Sequence, residues 1–112
     1  MALLTAITTP TAAGAVYTTQ AVSASDTIPA SALGTRGCLL FVINGGGSAD
    51  TVGVVDGSSS PAGNIGQTLT NSVTNGTTEV MFIPQSTVNL ATQVTTITHT
   101  FTTSVTCAVV TL

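Results

Sequence analysis

The chain carries almost no charge. Its 112 residues include one cationic side chain, Arg36, and four acids, Asp26, Asp50, Asp56 and Glu79, so 4 % of positions are charged. A soluble domain usually has about 25 %. Contact with phosphate needs clustered cations, so a lysine-free chain is not expected to bind nucleic acid directly. Ion-pair networks are out of reach for the same reason. Tryptophan is absent and Tyr17 is the one tyrosine, which leaves little for an aromatic, sugar-stacking surface. His99 is the single histidine. A general base needs a nucleophile or an orienting carboxylate within reach, and no acid lies near His99 in sequence. It reads as a hydrogen-bonded strand residue. Long apolar runs are missing too, since none approaches the ~18 residues that span a bilayer, and no membrane partner is expected. Met1-Ala2-Leu3-Leu4 lacks a basic n-region, which argues against a secretory signal and for synthesis in the cytoplasm.

What the chain does contain is threonine, about a fifth of all positions, with alanine, glycine and valine. Hydrophobic residues make up 43 % and the mean hydropathy is +0.56, which rules out a disordered chain. Threonine and valine share the β-branched shape that suits a pleated sheet, and threonine also tolerates water. Strand faces covered with threonine follow. A free monomer depends on surface charge, lysine above all, to keep its sheet edges apart. With a net charge of -3 and no lysine, much of this surface is expected to lie against other protein.

The longest apolar run is Cys38 to Ile43, bounded by Gly37 and by Asn44-Gly45-Gly46-Gly47. Its length, composition and flanking breakers predict a central strand buried on both faces. Before it, residues 1–15 read as an extended arm with too little apolar mass for a core element. Such an arm is ordered only where a sheet edge or a neighbouring subunit holds it. Val16 to Ala24 reads as a first strand, Ser23 to Pro29 as a turn or short strand, and Ser31 to Thr35 as one helical turn or a loop. Further strands are expected at Asp50 to Val55, Gln67 to Val73, Thr77 to Ile83, Thr95 to Thr102 and Ser104 to Leu112. The longest loop composition is Ser58 to Gly66. Asn75-Gly76 is the strongest hairpin signal, and Pro84 ends the strand after it. Phe41, Phe82 and Phe101 are spaced as core residues of three strands. The expectation is an all-β protein: an N-terminal arm, 1–15, and one antiparallel β-sandwich, 16–112. Seven or eight short strands with regular turn signals fit a sandwich or a small barrel, and a sandwich, jelly-roll or immunoglobulin-like, is the form expected.

No catalytic, cofactor-binding or metal-binding residues are expected. Gly45-Gly46-Gly47 follows a strand, yet neither phosphate-loop spacing nor a phosphate-binding lysine is present. Asp50 and Asp56 flank a strand without calcium-loop spacing. Cys38, His99 and Cys107 are too far apart in sequence for a zinc pattern. The two cysteines sit in apolar strands and read as buried, reduced thiols. A disulfide between them is possible only if their strands are neighbours. Asn75-Gly76-Thr77 matches a glycosylation sequon, which a turn explains equally well. Tyr17 is a candidate interface anchor.

Several stretches are similar to small head decoration proteins of tailed bacteriophages, the capsid cement or minor capsid proteins. They are Asp26-Thr27-Ile28-Pro29, Leu39 to Gly46, Thr51-Val52-Gly53-Val54-Val55, Val80-Met81-Phe82-Ile83-Pro84 and Thr103 to Leu112. The resemblance covers about residues 15 to 112, and the loop Ser58 to Gly66 departs from it by its length. It implies a non-enzymatic β-sandwich on the outside of a virion head, made in the host cytoplasm. Its partners would be the major capsid protein and copies of itself, as a trimer in preference to a dimer. A tail or head-fibre component, or an immunoglobulin-like adhesion module, are the alternatives.

Overall fold

A computed structural model of the chain describes residues 2–7, 18–57 and 68–112. They form a sandwich of two β-sheets. Seven strands are five to seven residues long: β4 (Ser25–Pro29), β5 (Cys38–Asn44), β6 (Asp50–Val55), β7 (Thr68–Val73), β8 (Thr78–Ile83), β9 (Val94–His99) and β10 (Val105–Thr111). Three more have two residues each: β1 (Ala2–Leu3), β2 (Ala6–Ile7) and β3 (Gln20–Ala21). One sheet has the order β1-β4-β9-β6-β7 and the other β2-β10-β5-β8, with β3 also on β10. A single helical turn, α1 (Ala30–Leu33), links β4 to β5.

The pairings reveal how the chain is wound. Folded in half at the β6–β7 connection, it pairs β6 with β7, β5 with β8, β4 with β9 and β3 with β10, all antiparallel. Coiling that four-layered ribbon brings β5 beside β10 and β6 beside β9, which completes the two sheets. This is the winding of a jelly roll, and it decides between the two sandwich types that strand spacing alone left open.

Alternation builds the core. On β5, Cys38, Leu40, Val42 and Asn44 are buried, and on β9 Thr95, Ile97 and His99 are. They meet Ile28, Val52, Val105 and Val109 from the strands opposite or adjacent, with stacked sheets about 10 Å apart. The central strand is not buried on both faces as its run of apolar residues predicts. Leu39, Phe41 and Ile43 point to the other side of the sheet and are only half-buried.

The described part of the N-terminal arm is held at sheet edges, one of the two ways expected to order it, and it also supplies a core residue that its low apolar content does not suggest. Its residues 2–7 run parallel to β4 and then to β10, changing sheets at Leu4, which is 1 % exposed and part of the core. The Leu4 amide donates to the Thr27 carbonyl (2.7 Å). Gln20 clasps the Thr5 backbone, accepting from its amide (3.2 Å) and donating to its carbonyl (2.8 Å). One apolar side chain at the crossover thus plugs the seam between the sheets, so little apolar mass suffices. Residues 8–15 of the expected arm, Tyr17, and the loop Ser58 to Gly66 lie outside the described residues. Of the strand expected over Val16 to Ala24, only β3 is seen in the part described.

Asn75-Gly76 does make a tight turn, with Gly76 at φ +79° and the Thr77 amide bonded to the Thr74 carbonyl (3.1 Å). The flanking strands do not pair as a hairpin, however. β7 joins β6 and β8 joins β5, in opposite sheets. Asn44, at the end of β5, holds the turn: its carbonyl accepts from the Gly76 amide (2.7 Å) and its amide donates to the Thr77 carbonyl (3.0 Å). That anchor steers the chain across the sandwich.

Candidate interaction face

Two surfaces stand out, and both involve β8. The first is the outer face of the β2-β10-β5-β8 sheet. Cross-strand register sets Leu39 beside Phe82 and Phe41 beside Val80, so their side chains form one apolar field. Val80 is 53 % and Phe82 56 % exposed. Two of the three phenylalanines expected in the core therefore lie on this outer face, and Phe101 alone packs against the core. Strand parity puts them there: Phe41 and Phe82 alternate with Leu40 and Ile83, and the latter pair points inward.

The second surface is the side of the sandwich where β7 and β8 end the two sheets. Every residue of β7 except Val73 is exposed. The two edges are tied together, Asn71 Nδ2 donating to Glu79 Oε1 (2.7 Å). Between them opens a groove of about 180 Å³, with Val52, Val54 and Met81 among its lining and Leu69 and Phe82 at exposed positions. Small-molecule sites occupy roughly 300–1,000 Å³, so this groove suits a side chain better than a cofactor.

The buried polar cluster was not legible in sequence. Asp50 lies 2.6 Å from His99 Nδ1 through Oδ2, while its Oδ1 accepts from the amides of Thr100 (3.0 Å) and Phe101 (3.2 Å). On the other side of the ring, Nε2 faces Asp26 Oδ2 at 3.8 Å and has no hydrogen-bond partner. Asp26 in turn accepts from the Ser23 amide (3.0 Å) and the Ser23 hydroxyl. No acid lies near His99 in sequence, yet residues 49 apart meet in space because β6 and β9 are neighbours. A carboxylate–imidazole pair is the orienting half of a catalytic relay. Here all three side chains have zero exposure, and the cluster stitches β4, β6 and β9 together.

Cys38 and Cys107 are free and buried. Cys38 is opposite Thr111 and Cys107 opposite Val42. That places the two about 13 Å apart along the strands, beyond the ~7 Å that a disulfide spans. Burial raises both thiols from 9.0 to about 11, and the Asp26 charge adds to the effect at Cys107.

No protein-family model matches the chain, and no curated protein or solved structure does either. Among the described residues, no helix is long and apolar enough to cross a membrane.

Proposed function

We propose that this chain is a structural virion protein. It binds the outer surface of a tailed-phage capsid and reinforces contacts between major capsid subunits. The observation that carries this reading is the uncharged outer face on which Val80 and Phe82 are more than half exposed beside Leu39 and Phe41. Contiguous apolar faces of this sort mark interaction sites, and aromatic anchors such as Phe82 supply much of their binding energy. The jelly-roll winding supports the reading at the level of analogy, since capsid domains use it, as do lectins and cupins. A lectin role would draw on exposed tryptophan or tyrosine, which this chain hardly has.

As a cement, the protein would add contacts that exist only in the assembled shell and so stabilise that state by mass action. The test is quantitative mass spectrometry of density-banded particles from cells producing the chain. It is expected in many copies per particle. Stripped shells should burst at lower temperature than decorated ones. Phe82→Ala should weaken rebinding by roughly 30-fold, about 2 kcal/mol at an anchor position. Absence from banded particles, or equal heat resistance with and without the protein, overturns the proposal.

A further inference from the structure

We propose that β7 and β8 pair with β7 and β8 of a second copy of this chain across a twofold axis, carrying both sheets on into the partner. The two sides of the sandwich differ. On one, the arm strands β1 and β2 flank β4 and β10. On the other, six-residue strands end both sheets, and among the described residues no strand pairs with their outer sides. Antiparallel pairing of a strand with its own copy is generated by a twofold axis perpendicular to the sheet. With two stacked sheets, one such axis serves both. The Asn71–Glu79 bond holds the two edges one above the other, which simultaneous pairing requires.

Charge makes the second copy the fitting occupant. A twofold sets like against like, so any cation or anion lining the edge would repel itself. The strands Thr68–Val73 and Thr78–Ile83 contain one ionisable side chain, Glu79, and its carboxylate is engaged by Asn71. Lysine, the usual guard of an edge, is missing from the whole chain.

Area explains why both edges must take part. A specific interface buries about 800 Å² per partner over 20–30 residues, or ~30–40 Å² per residue. At that rate one six-residue strand offers only ~200 Å² per partner. Residues 68–83 together offer ~500–600 Å², just past the total of about 1,000 Å² that a specific contact needs. The dimer interface is therefore at the small end of specific contacts. The dimer's two outer faces, each with Val80 and Phe82, become one doubled apolar field.

Sedimentation equilibrium of the full chain, from low micromolar to millimolar, tests this together with amide hydrogen exchange over the same range. A monomer–dimer equilibrium is expected, with amides of 68–73 and 78–83 gaining protection as concentration rises. Thr70→Lys with Val80→Lys, both at exposed positions, should raise the dissociation constant at least tenfold and leave the circular dichroism unchanged. A monomer at every concentration, a trimer, or protection gained at β1 and β2 would overturn the pairing. So would undiminished dimerisation of the lysine variant, or an edge that takes up only an extended peptide of another protein. Should the variant not fold, exchange on the unaltered chain still decides. Self-pairing is independent of the capsid reading. A dimer absent from particles ends that reading alone, and a monomer found on particles ends this one alone.

Discussion

At the scale of single residues, the His99 ring is set between two buried carboxylates. Each carboxylate would need several kcal/mol to leave water unaided. Asp50 recovers this through two backbone amides and His99, and Asp26 through Ser23. Deleting the ring removes the group both acids face and leaves Asp50 Oδ2 without its 2.6 Å partner. His99→Ala is therefore expected to cost about 1–3 kcal/mol, the range for leaving a buried acceptor without its hydrogen-bond partner. The measurement is the urea midpoint at constant slope. A loss below about 1 kcal/mol, typical of an exposed pair, would show that the cluster is wet. His99 illustrates what a one-dimensional reading misses. Its inward orientation follows from alternation with Ile97, but its partners come from strands distant in the chain. Neither Asp50 nor Asp26 carries a local mark of pairing with His99.

Among elements, the N-terminal arm and the outer row of β5 both depart from simple patterning, for opposite reasons. The arm contains few apolar residues, and composition alone assigns it no part in the core. Yet Leu4 is 1 % exposed where the chain passes between the sheets. Truncation there opens a cavity exactly at the seam that β1 and β2 cover. Leu4→Ala should destabilise the fold by about 2–5 kcal/mol, the span seen for buried leucines, and hydrogen exchange should quicken first in β4 and β10. If stability changed by only a few tenths, the arm would be an appendage after all. β5 errs the other way: six consecutive apolar residues predict two buried faces, and the strand has one. The signal was sound as far as it went, because periodicity reports which residues avoid water and not which molecule shields them. The Asn75-Gly76 turn is a parallel case. Its local chemistry was readable, with Gly76 at φ +79°, but the destination of the strands was set by Asn44, some thirty residues earlier. The seven longer strands and the sandwich class were legible because they follow from alternation and breakers, whereas the two-residue strands β1 and β2 carry too few residues to show either. The jelly-roll winding was not legible, since it resides in the pairings.

For the molecule as a whole, the decisive quantity is how few ions reach its surface. Asp26 and Asp50 are buried with His99, which leaves Arg36 exposed and Asp56 and Glu79 partly so. One cation and two acids generate little long-range field, and at ~0.15 M salt even that is screened beyond about 8 Å. Association through β7, β8 and the outer apolar face must then rest on backbone hydrogen bonds and on apolar area removed from water. Sodium chloride scarcely alters either contribution, whereas sulfate, excluded from protein surface, strengthens burial. The dissociation constant for self-association should accordingly change by less than about twofold between ~0.05 and ~0.5 M sodium chloride, and should fall in sodium sulfate of equal ionic strength. Sedimentation velocity in the two salts separates the possibilities. A tenfold weakening in chloride would mean that ionic contacts hold the copies together, and with so few ions on the surface they would have to involve Arg36.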